Sequence, residues 1–188
     1  VFGGMYGKSF NSTSLKTMQN YRIATANDIE AIANLHALSW QNSYRGILTD
    51  DYLDNHILAD RIQVWTQRIS DSPAHQIIIL KEIDSEVVAF VSAYGSQTDK
   101  YGTLIDNLDV LPSFKRKGIG RELMREVSDW SIRHFNQPKL YLKVIEANRS
   151  ARFFYKKVGG KQHASFSETK PDGNIIRVWR YVWEKFEC

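Results

Sequence analysis

Cysteine is almost missing from the 188 residues, the sole one being Cys188. An internal disulfide is therefore excluded and a cysteine-based metal site lacks its ligands, so no metal is expected and a reducing compartment, the cytoplasm, fits best. Apolar runs are short: none approaches the roughly 18 to 20 residues of a membrane span, and no membrane partner is expected. Residues Val1 to Thr17 have no signal-like apolar centre, because Gly, Ser, Thr and Asn interrupt it. They read as a flexible extension (1–17) with Met18 as a natural start, leaving residues 18–188 as one domain. Excess charge is also small. A formal net charge of +4 and a pI near 9.1 suit an anionic ligand but do not demand nucleic acid, for which no motif is present. Repeats and low-complexity segments are absent as well. What is there, 43% hydrophobic and 24% charged residues, is the balance of a chain that buries a core.

Only four prolines occur, and each falls where a periodic pattern stops or turns. Tyr21 to Ala24 reads as a first strand. Asn27 and Glu30 have capping-box spacing before a helix over about Asp28 to Ser39. Trp40 to Leu48 breaks the periodicity, and a second helix over Asp50 to Ile69 carries Tyr52, Leu53, Ile57, Leu58, Ile62 and Trp65 as its apolar stripe. His36 and His56 have no partner at metal-ligand spacing and read as structural or surface residues. Gln76 to Ile83 and Glu86 to Tyr94 flank Asp84-Ser85 as a hairpin, and Thr103 to Leu111 follows as another strand. Helix over Gly118 to His134, strand over Lys139 to Ile145, helix over Asn148 to Val158 and two strands around Pro171-Asp-Gly173 complete the order. Strand, helix, strand implies a right-handed crossover between parallel strands.

The densest signal is Lys115-Arg-Lys-Gly118-Ile-Gly120-Arg121, at a strand-to-helix joint. A helix start leaves backbone N–H groups unpaired and carries the positive end of the macrodipole, so an anion satisfies both. A phosphate-binding P-loop is missing, and Leu123 stands where a dinucleotide loop would have its third glycine.

Two joints together carry a resemblance to a known family. Val110-x-Pro112 with Lys115-x-x-Gly118-x-Gly120, and Asn148-x-x-Ala151-x-x-Phe154-Tyr155-x-x-x-Gly159, resemble the pyrophosphate loop and the following helix of the GNAT (general control-related N-acetyltransferase) superfamily. The resemblance covers roughly Tyr21 to Trp183. It implies an α/β fold with a mixed, mostly antiparallel central sheet, a splayed parallel strand pair and helices on both faces. It implies acetyl-coenzyme A (acetyl-CoA) as cofactor, and direct acetyl transfer to a primary amine of a small molecule or peptide. A homodimer is compatible with it. A non-catalytic acetyl-CoA sensor of the same fold is the alternative.

By the same resemblance, Lys115, Arg116, Lys117, Gly118, Ile119, Gly120 and Arg121 face the pyrophosphate, while Leu108, Asp109 and Val110 run along the pantetheine arm with Asn148. The Val110 N–H faces the thioester carbonyl, and Tyr155 serves as general acid toward the departing thiolate. Trp40 and Tyr44, with Asp51-Tyr52-Leu53, resemble the border of the acceptor pocket, although their spacing equally suits a core pair. Lys115 replaces the usual Arg or Gln, and Leu104 falls where many members carry a basic glutamate. On a regular strand Asp106 shares the face of Leu104 and is the expected base. A bulge would bring Asn107 or Asp109 forward instead, and Glu146 is a further option.

Overall fold

The computed structural model describes residues 21–187. The expected extension over residues 1–17, the start at Met18 and Cys188 lie outside the described residues. Seven strands form one sheet in the order β1-β2-β3-β4-β5-β7-β6. The strands are β1 (Tyr21–Ile23), β2 (Gln76–Ile83), β3 (Glu86–Tyr94), β4 (Thr103–Val110), β5 (Leu140–Ile145), β6 (Lys161–Thr169) and β7 (Ile175–Trp183). The helices are α1 (Ile29–Tyr44), α2 (Ile57–Asp71), α3 (Ile119–Phe135) and α4 (Arg149–Lys157). Every neighbouring pair is antiparallel except β4 and β5, which α3 joins as the expected parallel crossover.

Each face of the sheet buries its own apolar cluster. On one, Leu123, Met124 and Val127 of α3 and Tyr155 of α4 pack on Val91, Ile105, Leu142 and Tyr181. On the other, Ile32 and Leu35 of α1 and Trp65 of α2 cover Leu80 and Phe90. Each such side chain contributes about 1.5–3 kcal/mol relative to exposure, so burial on both faces holds the helices to the sheet.

Three local features depart from the sequence reading. The capping box at the start of α1 is Thr25 with Asp28, two residues earlier than Asn27 with Glu30. Arg22 decides between the two frames: its hydrogen bonds to Asp28 hold that carboxyl down to about 2, and the Thr25 N–H donates to the same group at 2.7 Å. Second, α1 continues through Tyr44 where a break at Trp40 was expected. Trp40 and Tyr44 therefore occupy successive turns of one helix. Third, the chain enters α2 through a π-helical turn over Tyr52–His56, and the buried stripe of α2 is Ile57, Arg61 and Trp65. Leu58 and Ile62, expected in that stripe, are exposed.

No helix of the described residues is long and apolar enough to cross a membrane.

Candidate active site

The site begins where β4 and β5 part. Their pairing runs through Thr103–Leu140, Leu104–Tyr141 and Ile105–Leu142 and then stops, although β4 continues to Val110 and β5 to Ile145. On its other edge β4 stays joined to β3, and the Leu111 N–H donates to the Val88 carbonyl at 2.9 Å. Antiparallel ladders alternate the direction of their backbone groups. The N–H and C=O of Val110 and Leu108 therefore face the side from which β5 has withdrawn.

A β-bulge at Asp106 determines what β4 presents to each face. Ala93 pairs with Ile105 and Ser92 with Asn107, so Asp106 is the extra residue. Leu108 and Val110 are thereby turned toward α3 with Ile105. Asn107 and Asp109, opposite Ser92 and Phe90, turn toward α1. The regular alternation that favoured Asp106 does not hold: Asp106 is exposed and paired with Arg68 of α2 at 2.8 Å.

Asp109 instead meets the end of α1, its Oδ1 accepting from Ser39 Oγ at 2.5 Å. Its carboxyl is pushed up to about 6, chiefly by burial, while Ser39, Lys115 and Arg61 pull the other way. Tyr155 of α4 reaches the gap from the opposite face of the sheet. Burial first, then the Asp109 charge and Tyr44, raise its phenol pKa and keep the proton on oxygen. Tyr44 is raised likewise by burial and Asp109, with the Asn148 side chain beside its hydroxyl. Asn148 uses Oδ1 to cap α4 through the Ala151 N–H at 3.1 Å, and turns its amide nitrogen to the Tyr44 hydroxyl. Tyr155 is buried, packed against Phe154, Tyr181 and Trp183, whereas Phe153 is 71% exposed.

At the far end of β4 the chain turns into α3 through Lys115 to Gly118. Arg116 (φ 64°) and Gly118 (φ 88°) are both left-handed, a backbone that curls successive amides toward one point. The N–H groups of Gly118, Ile119 and Gly120 have no acceptor among the described residues. Lys115, Arg116, Lys117 and Arg121 surround them, all exposed. The two glycines serve different ends. A Cβ on Gly118 would meet only Glu122 Oε1 at 3.8 Å, so its requirement is the positive φ; one on Gly120 would lie 3.1 Å from Phe154 Cζ, so its requirement is the close approach of α4.

Trp40 stands edge-on to Tyr44, with ring centroids 5.2 Å apart, and His36 packs against Trp40 at 5.3 Å. His36 is buried and its pKa lies well below the ordinary histidine value, chiefly through burial, so the ring is neutral. Its Nδ1 accepts from Trp65 Nε1 at 3.1 Å, and Asn107 Nδ2 lies 3.2 Å from its Nε2. Glu146, the remaining carboxylate considered, is held at the end of β5 by Trp179 Nε1 at 2.8 Å. Ser39 and Arg61 have no part in the motifs and escaped the sequence reading. Arg61 did leave a signal, a cation at i+4 from Ile57 and i−4 from Trp65, inside an apolar stripe.

An open strand edge, a cluster of unpaired amides at a basic helix start, the half-buried Asp109 and the buried Tyr155 phenol make up the candidate site. The family model of the Acetyltransferase (GNAT) family matches residues 30–160, and the chain belongs to that family, whose acyl donor is acetyl-CoA. Over 140 residues the chain is 26% identical to YuaI of Bacillus subtilis (strain 168), described as an uncharacterized N-acetyltransferase, covering 73% of this chain and 78% of that relative. The PaiA N-acetyltransferase of Thermoplasma acidophilum, solved in complex with coenzyme A, superposes with a TM-score of 0.66 at 20% identity, over 84% of this chain and 96% of that one. A probable acetyltransferase from Staphylococcus epidermidis ATCC 12228 gives 0.65 at 17%, over 87% and 97%. These likenesses establish the fold.

Proposed function

We propose that this chain transfers the acetyl group of acetyl-CoA directly to a primary amine of a small molecule or peptide. The observation that carries the reading is the parting of β4 from β5, which leaves the backbone of Leu108 and Val110 unpaired between the free amides of Gly118 to Gly120 and the Asp109–Tyr155 pair. Acetyl-CoA supplies an activated thioester and a thiol leaving group. The Gly118, Ile119 and Gly120 amides would hold its pyrophosphate, with Lys115, Arg116, Lys117 and Arg121 adding charge. Leu108 and Val110 would pair with the pantetheine arm as a missing strand would, assisted by the Asn148 amide, and the Val110 N–H would donate to the thioester oxygen.

Asp109 is the better base than Asp106, since a carboxyl near 6 is ionised at neutral pH and is basic enough to take a proton from the acidified nitrogen of the addition intermediate. The neutral amine nitrogen bonds to the acyl carbon, the carbon–sulfur bond breaks, Asp109 takes the one proton that nitrogen then sheds and Tyr155 gives one to sulfur, to be reprotonated from solvent afterwards. Trp40 and Tyr44 would wall the acceptor. Direct transfer is supported by the lack of cysteine from Tyr21 to Glu187, which removes the usual thiol carrier of an acyl-enzyme.

Incubation with isotopically labelled acetyl-CoA and a mixture of primary amines, followed by mass spectrometry of the amines, tests the proposal. Labelled N-acetyl product is expected. Tight acetyl-CoA binding with every amine unmodified would favour the sensor reading instead.

A further inference from the structure

Past the turn at Gly118, the first turns of α3 have two unlike flanks. Toward β1 stand Glu122, which accepts from the Tyr21 hydroxyl, and Glu126. Toward α4 the chain forms an open cleft of about 330 Å³, lined by Arg121 of α3, Lys157 and Gly159 at the end of α4, and Trp183, Lys185 and Glu187 of the C-terminal segment. Glu187 is the one carboxylate of that lining and is taken up by Lys185, 3.5 Å away, so neither Arg121 nor Lys157 has an acidic partner there. Trp183 offers no face for stacking, because it is buried and its Nε1 donates to the Val158 carbonyl at 2.9 Å. The cleft therefore presents positive charge without an aromatic platform, which suits a phosphate better than a base.

Its position gives that charge a use. Phe154 of α4 lies against Gly120, 3.1 Å from where a Cβ would stand, and Lys157 follows Phe154 by one turn on the same side of α4. Arg121 is the residue after Gly120. Both cations thus stand next to the free amides of Gly118, Ile119 and Gly120. Resting on the proposed seating of the acetyl-CoA pyrophosphate on those amides, we infer that this cleft is the subsite for the 3′-phosphate on the donor's ribose. Arg121, Lys157 and Lys185 then select free coenzyme A thioesters over donors that lack that phosphate, such as dephospho-coenzyme A or a phosphopantetheine arm borne on a carrier protein. The pantetheine arm leaves the amides along β4, so the adenosine end leaves them across α3, and a dianion there is repelled by Glu122 and Glu126 on one flank and attracted by the cations on the other. A ribose phosphate lies within a few bonds of the pyrophosphate, a gap that flexible lysine and arginine stems can cover. All three cations are exposed, so their attraction weakens as salt is added.

Calorimetric titration of the full chain with coenzyme A and with 3′-dephospho-coenzyme A, in low and in high salt, tests this. At low salt coenzyme A should bind roughly tenfold or more tighter, and the ratio should shrink as salt is raised. Lys157→Gln should weaken coenzyme A roughly threefold to tenfold and leave the dephospho form within about twofold, while Lys157→Arg should keep the wild-type ratio. Adding Lys185→Gln to Lys157→Gln should bring the two ligands close to equal affinity. Equal affinities in wild type overturn the inference and leave acetyl transfer intact, since neither titration uses an amine. Equal losses for both ligands in Lys157→Gln also overturn it, because the charge would then act on the pyrophosphate that both share. Failure of both ligands to bind overturns the proposed seating of the donor and this inference with it.

Discussion

Asp109 carries opposite demands on stability and on chemistry. In the unfolded chain its carboxyl ionises in the ordinary range, whereas in the fold burial holds it up to about 6. Between roughly pH 4 and 6 the folded state keeps a proton that the unfolded state has lost, so stability falls as pH rises through this window, and the penalty is complete above it. Asp109→Asn should therefore melt at a higher temperature than wild type above pH 6, with the difference vanishing near pH 4, as thermal denaturation across pH would read. The same substitution should reduce turnover roughly a hundredfold or more, and remove the rise in rate expected of wild type as pH passes about 6. Tyr155→Phe tests the other partner. It keeps the packing on Tyr181 and Trp183 while deleting the proton, so kcat should drop roughly tenfold to hundredfold with the acetyl-CoA dissociation constant within about twofold.

Among the elements, the joint between β4 and α3 was the most legible, because Gly118, Gly120 and a run of cations announce a strand-to-helix turn, and the helix does start there at Ile119. The division of labour between the glycines was not legible, since it depends on Phe154 of a later helix. Gly118→Ala forces a side chain into left-handed backbone at a cost of about 1–2 kcal/mol, and should weaken acetyl-CoA binding in a calorimetric titration. Gly120→Ala should act differently, pushing Phe154 and with it the Tyr155 turn, so that turnover falls more than affinity. The β2–β3 hairpin was readable because Asp84 and Ser85, both at positive φ, sit between two apolar runs. The bulge at Asp106 had no such mark. Ile105-Asp-Asn-Leu108 reads as plausibly with the extra residue as without it, and only pairing with Ser92 and Ala93 selects the bulged register. That single residue turns Asp109, which a regular strand would point toward α3, to Ser39 of α1, while Asp106 stays on the α2 side through Arg68.

For the molecule as a whole, the order of elements and the parallel crossover followed from periodicity, and the family motifs extended that to the sheet. The opening between β4 and β5 is a property of no single element. It arises because α3 and α4 draw Tyr155 against one face while α1 brings Ser39, Trp40 and Tyr44 to the other, and both meet at the unpaired end of β4. On the proposed direct transfer, two substrates bind on opposite faces of one gap and must be present together for an amine to reach the thioester. Initial rates of thiol release measured while acetyl-CoA and a primary amine are varied independently test this most directly. Simultaneous occupation predicts double-reciprocal lines that intersect, with no release attributable to transfer when the amine is omitted. Parallel lines, the signature of an acylated enzyme, or a rate indifferent to the amine, would contradict it.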